Sequence, residues 1–243
     1  IKEEQAKAAV QLIDEGNTIP FIARYRKEMT GALNDETLRN LHERLLYLRN
    51  LEEKKEQVIN AITDQGKMTE DLKKKILSAE TLVAVDDLYR PYRPKKQTRA
   101  TKAKEKGLEP LANILLLQKT TKSMEEEAAA FVNAEKGVAN AKEAIAGAKD
   151  IIAEMIADMA DYRKSIRNCT MKQGSLVVKA KDEKAESVYE MYYDFREPLS
   201  KVTGYRVLAI NRGEKEKFLT VKVEAPDVQI VNALNKTMVK DNL

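Results

Sequence analysis

Three observations in this 243-residue sequence predict a mainly α-helical fold with a small α+β portion after about residue 170. Apolar residues recur with a period near 3.6, the spacing of an amphipathic helix, along most of the chain before that point. The composition includes only 9 Gly, 6 Pro, 9 Tyr and 4 Phe and no Trp, which argues against sandwiches and barrels rich in tight turns. After Gly174 the apolar pattern alternates with period two, which is typical of strands.

Two short helices are predicted first. Residues 2–15 place apolar side chains on one face, and Gly16 can end that helix in the left-handed conformation. After Pro20, residues 21–28 predict an apolar and basic helix that stops before Gly31.

The strongest helical signal begins at Asn34 or Asp35, either of which can cap the helix. Its apolar stripe continues towards Gly66 and includes Leu38, Leu41, Leu45, Leu48 and Leu51. Such a stripe can form a coiled-coil seam. Charged residues interrupt it, however, and therefore favour an antiparallel partner helix of the same chain.

Further helices are predicted from Thr69, over residues 100–106 and from Pro110, with an extended connection enforced by Pro91 and Pro94.

A capping box at Ser123 and Glu126 starts the next helix, and an alanine-rich helix is predicted from about residue 139 to about residue 167. Beyond it we expect strands at 175–179 and 217–223 and short helices at 187–195 and 205–212. The predicted domains are a helical region at 1–170 and a mixed helix and short-strand segment at 171–243.

Catalytic and metal-binding chemistry is excluded by inventory. His42 and Cys169 are the single residues of their types, too few for a four-ligand zinc site or an intramolecular disulfide. No glycine-rich phosphate-binding motif occurs, and adjacent carboxylates such as Asp86 and Asp87 diverge by about 100° on a helix. We therefore expect no enzyme activity, no catalytic residues, no metal and no cofactor.

No apolar run is long enough for a transmembrane helix, so we expect no membrane contact and a cytoplasmic protein, in keeping with the lone cysteine. The sequence starts at Ile1 rather than at an initiator Met, so we expect a fragment of a longer chain.

Charge is segregated along the chain although the formal net charge is only +4. Residues 90–106 contain eight basic residues and one acid, whereas residues 123–161 are predominantly acidic. A proline-containing basic loop with tyrosines is typical of surfaces that contact phosphates and stack bases. The residues predicted to bind nucleic acid are Arg90, Tyr92, Arg93, Lys95, Lys96, Arg99, Lys102 and Lys104. The alternatives are contact with an acidic protein and a solvated loop that only aids solubility.

A second basic motif comprises Arg24, Tyr25, Arg26 and Lys27. Arg24 and Lys27 are three residues apart and are predicted to share a helix face. They can bind a phosphate backbone, or they can form fixed ion pairs that lock helices together. Abundant glutamates nearby favour the ion pairs.

Several collinear motifs closely resemble the N-terminal region of Tex, a family of bacterial transcription accessory proteins. They are TIPFIARYRKEMTG at 18–31, LNDETLR at 33–39, ERLLYLR at 43–49, DDLYRPY at 86–92, KKQTR at 95–99, KEKGLEPLA at 104–112, AKDIIAE at 148–154 and AINRGEKE at 209–216. One departure is residues 202–206, where the family usually has a Pro-Ser-His-Arg stretch. The role of that histidine cannot be transferred to Tyr205.

The resemblance implies an elongated, mainly helical region with helix-turn-helix-like elements, related to a eukaryotic transcription elongation factor. In full-length members it is followed by a ribonuclease-H-like domain, helix-hairpin-helix elements and an RNA-binding oligonucleotide-binding-fold domain, none of which is recognisable in these residues. We therefore expect a helical scaffold with auxiliary contacts to RNA or DNA through the basic loop. The alternative is a module that docks on RNA polymerase, or on the remaining domains of its own chain, without contacting nucleic acid.

Overall fold

The computed structural model describes residues 1–94 and 96–240, and within them it is mainly α-helical with one small antiparallel sheet near the C-terminus. This confirms the predicted fold class. The chain divides into two compact units, an N-terminal unit comprising Ile1–Tyr92 and a C-terminal unit that starts at Arg93. A domain boundary near residue 170 stays a prediction, although the change from helices to strands does occur there.

The N-terminal unit is entirely helical. Its elements are α1 (Glu3–Asp14), α2 (Ile19–Tyr25), α3 (Lys27–Thr30), α4 (Asp35–Asp64), α5 (Glu70–Leu77) and α6 (Leu82–Tyr89).

The long helix α4 serves two separate small cores. Asn34 caps it, because the Asn34 Oδ1 accepts a hydrogen bond from the Thr37 N–H at 2.8 Å. Leu38 lies in a core formed with α1 and α2, and Leu51 lies in a second core formed with α5 and α6. Between the two cores Leu48 is 40% exposed. Packing within the same chain is thus confirmed, but several short helices cover the stripe rather than one antiparallel partner.

A buried charge belongs to the second of these cores. The Lys55 ammonium donates to the Leu77 carbonyl at 2.9 Å and to Glu52 Oε1 at 2.8 Å. Leu77 is the last residue of α5, where backbone carbonyls lack helical partners. A charge that interrupts the leucine stripe therefore joins α4 to the end of α5.

The C-terminal unit begins with helices and ends with the sheet. Its elements are α7 (Arg99–Glu105), α8 (Glu109–Leu117), α9 (Met124–Ala129), α10 (Ala141–Asp158), α11 (Ala160–Gln173), β1 (Ser175–Ala180), β2 (Asp194–Pro198), α12 (Gly204–Lys215), β3 (Leu219–Glu224) and α13 (Asp227–Met238), with short 3₁₀ turns at Glu190–Tyr192 and Leu199–Lys201.

Helix α10 is the centre around which α7, α8 and α9 pack. Small side chains allow the close approach, and the buried residues of this core include Ala100, Ala103, Leu108, Ala144 and Ala148.

The prediction of one helix from about 139 to about 167 was wrong, because the chain is extended at Met159 and separates α10 from α11. The Arg163 guanidinium donates to the Ala157 carbonyl at 3.2 Å and so satisfies an acceptor that the end of α10 leaves without a helical partner.

The sheet has the strand order β2-β1-β3, with both pairs antiparallel. Val178 is opposite Phe195 on one side and Val221 on the other, on the sheet face whose buried residues form a core with Ile210 of α12. The predicted short helix at 187–195 was wrong: this segment contains only a 3₁₀ turn before β2. Residues 194–198 pair with β1 instead, a non-local partnership that local periodicity does not reveal.

Strand β3 starts later than predicted because Lys217, with a φ of 67°, forms a left-handed turn before it. Helix α12 contains the predicted segment and continues to Lys215. No described helix combines the length and the hydropathy that crossing a membrane requires.

Candidate nucleic-acid interface

Helix α7 is the part of the predicted basic loop that has regular structure. Thr98 caps it, because the Thr98 Oγ1 accepts from the Thr101 N–H at 3.0 Å, and the same hydroxyl donates to Glu154 Oε1 at 3.0 Å. Ala100 and Ala103 are buried against α10. Because one side of α7 is fixed in the core, its charged residues are held on the other sides.

Two basic residues of α7 lie on one exposed face. Arg99 and Lys102 are three residues apart and therefore neighbours on the helix surface. The Arg99 Nη2 lies 3.5 Å from Asp150 Oδ1, but the Arg99 side chain is 87% exposed, so water screens this pair strongly. Lys102, like Lys96 before the helix, is exposed and forms no ion pair with any residue that the structure describes.

Lys104 is on a different side of α7. Its ammonium lies 3.4 Å from Glu109 Oε1, and Glu109 is the first residue of α8. The structure therefore separates Lys104 from Arg99 and Lys102, with which the sequence analysis grouped it.

Lys136 is a basic residue that the sequence analysis missed. Lys106 donates to the Gly137 carbonyl at 2.8 Å, which brings the turn at Gly107 to the turn at Gly137. Both glycines have left-handed φ angles, of 80° and 72°. A methyl group added to Gly107 would lie 3.7 Å from the Lys136 ammonium. We call the exposed residues Lys96, Arg99, Lys102, Lys106 and Lys136 the α7 basic face.

Lys136 was overlooked because it belongs to a stretch in which acids outnumber lysines three to one, nine against three over residues 123–161. The one local signal for this contact is that Lys106 and Lys136 each precede a glycine in a left-handed turn, Gly107 and Gly137. Among the described residues, the predicted basic loop contacts that acidic region through Arg99 at Asp150, Thr98 at Glu154 and Lys106 at the Gly137 carbonyl. The buried alanines of α7 also pack against α10, which belongs to the same region.

The remaining predicted loop residues differ in their surroundings. Arg90 follows α6 and is exposed, and Arg93 is exposed at the start of the C-terminal unit. Tyr92 is half-buried against the core of the N-terminal unit, and its carbonyl accepts from Gln65 Nε2 at 3.0 Å. Its ring therefore has a packing role. Lys95 lies outside the described residues.

In the motif at Arg24 to Lys27, Arg26 is half-buried and the other three residues are exposed, Tyr25 by 61%. The helix predicted over 21–28 is interrupted at Arg26, whose φ of −130° and ψ of 29° are not helical. Arg24 and Lys27 consequently belong to different helices and do not share a helix face. Neither residue forms an ion pair with a described residue, and the role of the motif stays a prediction.

One further cation is held next to aromatic rings in α12. Arg206 pairs with Glu197, and this hydrogen bond raises the pKa of Arg206. Its guanidinium lies 5.7 Å from the centroid of the Tyr205 ring and 5.8 Å from that of Phe195. Tyr205, the position of the predicted departure, is 66% exposed.

The single histidine and the single cysteine of the chain lie in different helices. His42 is half-buried in α4, and Cys169 is a half-buried free thiol in α11. Among the described residues no group of three or more His, Cys, Asp or Glu side chains could hold a metal ion.

Comparison with known families finds two matches. Residues 1–63 match the Tex-like protein N-terminal domain, and residues 119–242 match the Tex central region-like family.

Comparison with individual proteins finds relatives along nearly the whole chain. YdcI of Bacillus subtilis is 44% identical over 244 residues, covering 99% of this chain and 34% of that protein. Transcriptional accessory protein Tex of Neisseria gonorrhoeae is 41% identical, covering 90% of this chain and 29% of that protein. S1 RNA-binding domain-containing protein 1 of Homo sapiens is 34% identical, covering 90% of this chain and 22% of that protein. The chain therefore spans about a third, or less, of the length of these relatives.

Proposed function

Because the chain belongs to the Tex family, we propose that it is a helical scaffold portion of a transcription accessory protein and that its α7 basic face makes auxiliary contacts with nucleic acid. Such a portion acts in the cytoplasm of a bacterium, alongside the remaining domains of a longer chain. Two relatives support the proposal by their names, one a transcriptional accessory protein and one a protein with an RNA-binding domain.

The observation that carries the proposal is the anchoring of α7. Its buried alanines and its cap at Thr98 hold Arg99 and Lys102 in place on the surface, and the Lys106 contact brings Lys136 to the same end of the helix. Fixed cations without close carboxylates attract a phosphate backbone and release its counterions on binding. Of the α7 basic face, Arg99 alone forms an ion pair with a described residue, and that pair is exposed.

The test is the salt dependence of binding, measured by fluorescence anisotropy with labelled single-stranded and duplex oligonucleotides. Each phosphate contact contributes a slope of about 0.7 for single strands and about 0.9 for duplex in a plot of log affinity against log salt. Replacing Lys96, Arg99 and Lys102 by Ala is therefore expected to reduce the slope by about 2 for single strands.

The matched control replaces three exposed lysines of the sheet region by Ala, namely Lys181, Lys184 and Lys222. It lowers the net charge equally, so a purely non-specific effect of charge changes both triple variants alike. An unchanged slope in the first variant, or an equal loss in the control, contradicts a role for the α7 basic face.

A second candidate function is docking on RNA polymerase or on other domains of the full-length chain, without nucleic-acid contact. It is favoured by α12, which exposes Tyr205 and Leu208 three residues apart, and Leu208 is 73% exposed. Complex formation with polymerase that is lost in Leu208→Asp, with no oligonucleotide binding by the parent chain, would support this alternative.

We also propose that the chain itself has no catalytic activity. Nuclease activity that copurifies with the 243-residue chain, and persists in independently prepared samples, would contradict this proposal.

A further inference from the structure

An exposed aromatic ring stands at the end of α2, in a turn that we call the Tyr25 turn (residues 21–31). The Tyr25 ring has Phe21 behind it, with ring centroids 5.3 Å apart and an interplanar angle of 46°. Large aromatic rings usually bury most of their surface in a folded protein. An exposed ring that is supported from one side is instead a flat apolar surface available to a partner.

The backbone of the Tyr25 turn is held by several hydrogen bonds. The Arg26 carbonyl accepts from the N–H groups of Met29 and Thr30 and from the Thr30 hydroxyl. The Gln5 side-chain amide of α1 donates to the Thr30 carbonyl at 3.1 Å and to the Gly31 carbonyl at 3.0 Å. The turn is thus fixed before any partner binds, which lowers the entropic cost of binding.

Arg26 contributes to this support rather than to the free surface. Its guanidinium lies 5.1 Å from the centroid of the Phe21 ring and donates to the Tyr25 carbonyl at 3.2 Å. These contacts hold Arg26 against Phe21 and the Tyr25 backbone, and the Tyr25 ring itself stays exposed.

Two cations that form no ion pair among the described residues are close to Tyr25 in the sequence. Arg24 and Lys27 are exposed and form no ion pair with any residue that the structure describes. Several other cations of this unit are paired with carboxylates, as Arg39 is with Asp35 and Arg49 with Asp14.

An aromatic ring between unneutralised cations is suited to unpaired nucleotides, because the ring stacks on a base while the cations contact phosphates. A duplex keeps its bases stacked inside and offers the ring only its ends. An acidic peptide would pair with the cations but has no flat group for the ring. We propose that the Tyr25 turn binds single-stranded nucleic acid, with one unpaired base on Tyr25 and phosphates at Arg24 and Lys27.

The absence of tryptophan from the sequence gives this site a direct probe. Tyr25→Trp introduces a single indole, and stacking of a base on it quenches its fluorescence. We expect a single-stranded oligouridylate or oligodeoxythymidylate to quench Tyr25→Trp, and a blunt duplex to quench it far less. Tyr205→Trp is the matched control, because Tyr205 is exposed to a similar extent and also has an arginine beside it.

Affinity provides the second measurement. Alanine substitution of an aromatic residue that stacks on a base lowers the affinity by roughly 5- to 150-fold per base. Tyr25→Ala is therefore expected to weaken single-strand binding within that range, and Tyr25→Phe is expected to retain most of it. Circular dichroism is used to check that each variant is folded, which we expect because the Tyr25 side chain is exposed.

Three results would overturn the inference: no quenching of Tyr25→Trp by single strands, equal quenching by duplex, or equal quenching by polyglutamate, which would indicate an acidic protein partner. The inference does not rest on the α7 basic face. Quenching of Tyr25→Trp that survives Ala substitution of Lys96, Arg99 and Lys102 supports the Tyr25 turn even if the α7 basic face fails its own test.

Discussion

Replacement of Gly147 by Ala tests the packing that positions α7. Gly147 lies in the interior of α10, where glycine costs about 1 kcal/mol relative to alanine in intrinsic helix propensity. An isolated helix would therefore gain stability from this substitution. In the folded chain the new methyl group would overlap the Leu108 side chain and lie 3.3 Å from the Cβ of Ala103.

The magnitude follows from the burial of these neighbours. Leu108 and Ala103 are both in the core around α10, so neither has open space into which it can move. Overpacking a dense core typically costs about 1–3 kcal/mol, which exceeds the gain in helix propensity. We expect a net loss of about 1 kcal/mol in the free energy of unfolding, or a fall in Tm of roughly 2–4 °C for a chain of this size.

The assay is thermal and urea unfolding followed by far-UV circular dichroism, with Gly204→Ala as the matched control. Gly204 is also helical, but a methyl group there would meet no atom within 4 Å. The control should be neutral or more stable than the parent by up to about 1 kcal/mol. If Gly147→Ala is as stable as Gly204→Ala, the tight contact of α10 with Leu108 is refuted.

Two further predictions concern local interactions. Asn140→Ala should lower the free energy of unfolding by about 1 kcal/mol, measured as a lower Tm, because the Asn140 Oδ1 caps α10 by accepting from the Glu143 N–H at 3.0 Å. The control Asn140→Asp should stay near the parent in stability. Equal losses in both variants would argue against the cap. The second prediction concerns acid stability. The Arg49 hydrogen bond lowers the pKa of Asp14 in the folded state. The stabilisation of the folded chain by this pair is therefore present above the unfolded-state pKa of Asp14 and is lost as pH falls through its folded-state pKa. The Tm difference between the parent and Asp14→Asn should therefore be constant above about pH 5 and shrink below about pH 4, and a difference independent of pH would contradict this assignment.

Features that depend on neighbouring residues could be predicted from the sequence. The capping box is an example: the Glu126 N–H donates to Ser123 Oγ at 3.2 Å, and the Ser123 N–H donates to Glu126 Oε2 at 2.8 Å. The start of α4 at Asn34 is another. Both depend on side chains three residues apart, which is why local pattern was sufficient.

Features that depend on distant partners could not be predicted in the same way. Strand β2 exists because β1 pairs with it. The break at Arg26 is held partly by Gln5, from a different helix. In each case the local pattern was compatible with a continuous helix, and a tertiary contact selected another conformation.

For the candidate sites, the sequence alone determined the family, the mainly helical fold and the concentration of basic residues at 90–106 and at Arg24 to Lys27. Only the tertiary structure decided which of these residues are available. It buried part of Tyr92 and left Tyr25 exposed, turned Lys104 towards Glu109, and brought Lys136 to Lys106. The physical reason is that a charge is a property of a residue, whereas its exposure and its partners depend on how helices far apart in sequence pack together.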